Sequence, residues 1–156
     1  MRGELFRKLP AERGEEVKKI DSLEPEFKTQ VETLLEALET VSGVKWIVTS
    51  GRRTMAQQQA LYDQGRTTPG QIVTKAPPGS SAHNFGYAVD LVPLNKVGEA
   101  WWNCPDRYWK MLGELCEGMH LVWGGNFSTI VDKPHVESPA WRIAKAEWKA
   151  GNFEVV

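Results

Sequence analysis

Six apolar residues, Phe27, Val31, Leu34, Leu35, Leu38 and Val41, recur at the spacing of one helix face, and only a few positions later the period changes to that of a strand in "VKWIVTSG", Val44–Gly51. The helix has a start signal in "DSLEP" and a stop at Ser42-Gly43, and the strand runs into a tight turn at Ser50-Gly51. A second helix follows in "TMAQQQALYDQG", with Thr54 as its cap and Gly65 as its stop. "GYAVDLVPL" alternates as a strand does, with Ala88, Asp90 and Val92 on one face and Tyr87, Val89 and Leu91 on the other. Tyr108, Met111, Leu112, Leu115, Cys116 and Met119 return to helical spacing until "HLVWGGNF" breaks it with a glycine pair. "SPAWRIAKAEWKAG" reads as a closing helix capped by Ser138, with Pro139 in the first turn and Gly151 as stop. This order predicts an α+β fold with a small, mainly antiparallel sheet and flanking helices.

At 156 residues the chain is expected to form one domain, 1–156, with a core that needs no disulfides. Nineteen basic residues nearly balance twenty acidic ones, so no broad field points to nucleic acid or to an anionic membrane. The partner is expected to be small and site-bound, and the protein a monomer. The N-terminal "MRGELFRKLPAERGEEVKKI" is charged throughout and lacks the apolar stretch of about 7–15 residues that a secretory signal needs. No later run approaches the ~18 apolar residues of a membrane span, so the expected site of synthesis is the cytoplasm, without stable membrane association. Cys104 and Cys116 belong to no C-x-x-C pair and read as small apolar fillers rather than a disulfide or a metal-thiolate site.

Between Arg66 and Asn84 the composition turns to Gly, Pro, Ser and Thr, a long loop of the kind that carries function on a rigid scaffold. Three histidines are present, His83, His120 and His135; His83 and His135 lie among turn residues near carboxylates, whereas His120 has no acid beside it. His83, Asp90 and His135 could supply the three protein ligands of a catalytic zinc site that leaves a fourth position for water. Gly86 would let the chain turn between His83 and the Asp90 strand. Counting ligands leaves a second reading open, in which these are hydrogen-bonded loop histidines.

Four segments are more specific than the count. Ser81–Asp90 fits S-x-H-x-x-G-x-A-x-D, "SGRRT" precedes it, and "WGGNF" and "DKPHVE" follow in that order. Together they resemble the peptidoglycan-cleaving zinc metallopeptidases that include D-Ala-D-Ala carboxypeptidases and phage L-alanyl-D-glutamate endolysins, over about Val44–Glu137. The resemblance implies a hedgehog/D-Ala-D-Ala peptidase-like fold, Zn2+ held by His83, Asp90 and His135, and Asp132 as general base. Glu137 is the rival base, since either carboxylate could lie within reach of the water. The resemblance makes Arg53 the substrate-binding arginine, which would clamp a carboxylate or steady an oxyanion; the alternative is an arginine merely paired with an acid. Ser81 would line the site or cap its loop, and Trp123 would flank the cleft or belong to the core.

The implied activity is hydrolysis of the L-Ala–D-Glu bond of a peptidoglycan stem peptide by metal-activated water, in a compact endolysin with no separate cell-wall-binding domain. Such an enzyme would wait in the host cytoplasm and act at the wall after release. Two alternatives stand beside it: a D-Ala-D-Ala carboxypeptidase with the same mechanism, and a zinc-containing binding module without catalysis.

Overall fold

Four strands, β1 (Trp46–Ser50), β2 (Ala88–Pro93), β3 (Val122–Trp123) and β4 (His135–Glu137), form one antiparallel sheet in the order β1-β2-β4-β3. They belong to a computed structural model that describes residues 10–156. Five helices accompany the sheet: α1 (Pro10–Asp21), α2 (Pro25–Ser42), α3 (Met55–Asp63), α4 (Asp106–Gly118) and α5 (Trp141–Lys149). The α+β expectation holds, and so do the helices and strands expected from α2 to α4. No helix among the described residues is long and apolar enough to cross a membrane.

The core lies between one face of the sheet and the pair α2–α4. Phe27, Val31, Leu34 and Leu38 project from α2, and Tyr108, Trp109, Leu112 and Cys116 from α4, onto Trp46, Val48, Val89, Leu91 and Val136 of the strands. Val41, placed on the buried stripe by its spacing, is instead 54% exposed. The Trp46 and Trp109 rings meet edge to face, and the Trp46 indole N–H donates to Ser42 Oγ at 3.0 Å, so the ring is buried without stranding its polar end. Leu34 has no exposed surface, and Leu34→Ala is expected to cost about 2–5 kcal/mol, read as a lowered denaturation midpoint in urea. Cys104 and Cys116 are free and buried, with burial pushing their thiols up to about 11 and about 12, which suits inert fillers.

Two departures from the sequence reading have local causes. Helix α1 was not expected, because it is polar nearly all round; it is held by covering the sheet edge, where Glu16 Oε1 accepts from the Val48 N–H at 3.1 Å. α5 starts at Trp141 rather than directly after Ser138. Ser138 Oγ accepts from the Ala140 N–H at 3.2 Å and stabilises the turn that precedes the helix.

Near its C-terminal end β1 has an irregularity: Val48 pairs with Leu91, but Ser50 pairs with Asp90. Slippage of this kind re-aims the strand end. It leaves Val48 on the core face while Ser50 and the following "GRRT" turn approach the opposite face, the one that carries Asp90.

Candidate metal centre

Strand pairing places the first two polar groups. Asp90 sits opposite His135 in the β2–β4 ladder, and residues directly opposite share a face. His135 therefore begins a strand and is buried, where the sequence suggested a loop. The third group comes from a short 3-10 helix, Ala82–Phe85, which Ser81 caps by accepting from the His83 N–H at 3.3 Å. Gly86 ends that turn at φ 77°, a left-handed conformation suited to glycine, and the chain enters β2 directly.

Each imidazole is oriented by a partner behind it. His83 Nδ1 lies 2.8 Å from the Gly51 carbonyl, which can only accept, so Nδ1 carries the proton and Nε2 presents a lone pair. His135 Nε2 lies 2.8 Å from Glu137 Oε1, two residues along the same strand face, which leaves Nδ1 as the inward atom. Asp90 Oδ2 is 3.6 Å from His83 Nε2, and Asp90 Oδ1 is 3.5 Å from His135 Nδ1. These separations are long for hydrogen bonds. They suit ligands on one ion, since donors at roughly 2.0–2.1 Å from a tetrahedral centre stand about 3.3–3.4 Å apart. One ligand atom from each of the three residues lies within 4.8 Å of the others, and Asp90 Oδ1 is buried with no hydrogen-bond partner. The donor set and the orphaned oxygen both fit a divalent metal.

The electrostatics agree with a cation-binding cluster. Burial opposes ionisation of Asp90, but the approach of His135 and His83 outweighs it and holds the carboxyl below its ordinary range. Burial likewise disfavours the charged form of His135, and Asp90 and Glu137 overcome it, raising the imidazole to about 9. Asp132 behaves differently: burial, then repulsion from Asp90, raises its carboxyl. Its Oδ2 lies 3.9 Å from His135 Nδ1, and the side chain is half-exposed at the mouth of the site.

A cleft of about 400 Å³ opens over this cluster, lined by Arg53, Ser81, His83, Asp90, Asp132 and His135, with Thr74–Ala76 on one wall and Phe127 on another. A family profile described as VanY, D-alanyl-D-alanine carboxypeptidase, matches residues 20–113, more than half of the chain. The chain belongs to the VanY family. It is 34% identical over 110 residues to the peptidoglycan L-alanyl-D-glutamate endopeptidase CwlK of Bacillus subtilis (strain 168), a match spanning 66% of this chain and 66% of that protein, just under two thirds of its length. In fold it is similar to the L-Ala D-Glu endopeptidase ChiX of Serratia marcescens, with a TM-score of 0.56 and 19% identity over 82% of this chain and 89% of that one. A second fold likeness is a variant of the vancomycin-resistance D,D-pentapeptidase VanY from a VanB-type cassette in complex with Zn(II), with a TM-score of 0.55 and 19% identity over 83% of this chain and 79% of that one.

Within this VanY-family chain the remaining candidates divide. Ser81 does both of the things open to it, capping the histidine turn and lining the cleft. Trp123 does not line the cleft: its ring packs over Gly113 and Gly125, and its indole N–H donates to the Lys133 carbonyl at 2.7 Å. Gly124 beside it is required by space, since a Cβ there would fall 2.3 Å from the Asp132 carbonyl oxygen and 2.9 Å from His135 Cβ. The "WGG" segment thus seats the Asp132–His135 turn.

Two buried amides escaped the sequence reading. Asn84 donates to the Arg53 carbonyl at 3.0 Å and accepts from the Gly79 N–H at 3.1 Å, stapling the arginine turn to the histidine loop. Gln58 accepts from Arg53 Nη1 at 2.8 Å. Their burial depends on distant segments, and only the helical position of Gln58 was a local signal. Glu137, for its part, is expected to tune metal binding: Glu137→Ala should weaken metal affinity roughly 10–100-fold in a chelator competition, by freeing the His135 ring.

Proposed function

We propose that this chain is a zinc peptidase that hydrolyses the L-Ala–D-Glu bond of peptidoglycan stem peptides. The observation that carries the reading is the set of three inward ligand atoms, two of the contacts at 3.5–3.6 Å around Asp90, with Asp132 and Arg53 on the same cleft. The choice of bond rests on the 34% identity to CwlK.

His83 through Nε2, Asp90, and His135 through Nδ1 would hold the ion. Zinc bound there supplies a Lewis acid that polarises the scissile carbonyl and lowers the pKa of water toward neutrality. Asp132 faces the same space from the mouth of the cleft, where its carboxylate is placed to act as general base. It takes one proton from the water that adds to the carbonyl carbon and returns it to the D-Glu nitrogen as the C–N bond breaks; the remaining proton of the new carboxyl group then passes to the amine, leaving an L-Ala carboxylate and a D-Glu ammonium. Arg53, 17% exposed, keeps its charge although burial lowers its pKa, and it offsets charge on the tetrahedral oxygen or holds a substrate carboxylate. Glu137 is committed to His135 and orients that ring rather than serving as base. Action at the wall as a monomeric endolysin, released from the host cytoplasm, belongs to the same proposal.

Removal of a terminal D-Ala is the second reading, favoured by the family's own description. Digestion of purified sacculi separates the two. New D-Glu amino termini are the expected products, whereas free D-Ala without new D-Glu amines would transfer the assignment to a carboxypeptidase. Sacculi left intact by the zinc-loaded protein would favour a binding module.

A further inference from the structure

Gln58 lies on α3, outside the ligand set, and has no exposed surface, an uncommon place for a side-chain amide. Both ends of the amide are engaged: Oε1 accepts from Arg53 Nη1 at 2.8 Å, and Nε2 donates to the Ala76 carbonyl at 2.8 Å. A guanidinium only donates and a carbonyl only accepts, so the amide has one orientation that satisfies both. Arg53 and Ala76 both line the cleft. Gln58 therefore joins the cleft's buried cation to the wall formed by the long loop after α3.

The same bond bears on Asp90. Arg53 Nη1 donates to Gln58 at 2.8 Å, the shorter of its two side-chain hydrogen bonds, and Nη2 donates to Ser50 Oγ at 3.4 Å while stopping 3.9 Å from Asp90 Oδ2, the oxygen that faces His83. Guanidinium and carboxylate favour a closer, two-pronged pairing. An arginine freed from Gln58, with only the longer Ser50 contact left, would close on Asp90 and compete with a metal for the carboxylate.

We propose that Gln58 is a positioning residue that holds Arg53 off Asp90, reserving the carboxylate for the metal and the guanidinium for substrate, and that locks Arg53 to the Ala76 wall. This rests on the zinc-peptidase reading of the cleft. A side-chain amide is suited to the task because it supplies one acceptor and one donor from a single group.

The test compares Gln58→Met, Gln58→Glu, Arg53→Met and the double variant Gln58→Met/Arg53→Met in the full chain. Zinc affinity is measured by competition with a chromogenic chelator, and kcat and KM on a soluble stem peptide containing L-Ala–D-Glu. Gln58→Met is expected to weaken zinc binding about tenfold, within the range of outer-shell effects, and to lower kcat roughly tenfold to a hundredfold. In the Arg53→Met background the same change should leave zinc affinity unaltered, because no guanidinium remains to close on Asp90. Gln58→Glu keeps an acceptor for Arg53 but loses the donor to Ala76, so KM should rise about tenfold with kcat and zinc affinity retained.

Zinc affinity unchanged in Gln58→Met, or weakened equally with and without Arg53, overturns the proposal. Should Gln58→Met not melt cooperatively, Gln58→Glu decides: a raised KM at retained kcat supports the positioning role, and a parallel loss of both or no change refutes it. A wild-type chain that binds zinc but cuts no stem peptide refutes the functional reading instead, and the zinc-affinity coupling between Gln58 and Arg53 still tests the positioning on its own.

Discussion

Replacing Asp132 by alanine is expected to abolish hydrolysis of the stem peptide while leaving zinc content at one ion per chain. General-base catalysis contributes about 10²–10⁴-fold, so the residual rate should fall by that factor or below detection. Zinc should persist because Asp132 is half-exposed at the mouth of the site and the three inward ligand atoms do not include it. New amino termini released from sacculi, measured beside metal content, report both halves of the expectation. Undiminished release would remove Asp132 from the mechanism and return the role to Glu137. The geometry argues against that exchange: Glu137 Oε1 is engaged at 2.8 Å with His135 Nε2, whereas Asp132 is half-exposed at the mouth of the cleft and makes no such close contact with a ligand ring.

His83→Ala is expected to lose both the metal and the activity. A catalytic zinc site needs three protein ligands, and this change leaves two, with an ionised Asp90 that has lost one of the imidazoles holding it in that form. Stripping the wild-type protein with a chelator should have the same consequence, and added zinc should restore activity in the wild type alone. Thermal unfolding gives an independent reading. Free zinc at about a hundred times Kd stabilises a folded state that alone binds it by about 2.7 kcal/mol, so the wild-type Tm should rise with zinc and that of His83→Ala should not. Stoichiometric zinc in the variant would show that the ion sits elsewhere.

Much of this was written locally. The α2 stripe, the Thr54 cap, the Asp90 strand and the α4 stripe are periodicities and short-range signals that need no distant segment to be read. The spacing from His83 through Gly86 to Asp90 is local for the same reason: a 3-10 turn, a left-handed glycine and the start of a strand span a few residues. Helix α1 was not legible, since its few apolar residues form no stripe and its place depends on an edge strand more than thirty residues away. Trp123 was ambiguous in sequence because an indole suits a cleft or a core equally, and only the glycine surfaces at Gly113 and Gly125 decide where it lies.

The sequence by itself determined the residue types able to hold a metal, their order along the chain, and the likeness to a family of wall peptidases. Tertiary structure alone decided which atoms face one another. Strand pairing set Asp90 against His135, the Gly51 carbonyl and the Glu137 carboxylate chose the inward nitrogen of each histidine, and Gln58 and Ser50 took up the two terminal nitrogens of Arg53. Those choices come from hydrogen bonds and strand register between segments remote in the chain, and periodicity carries no record of them.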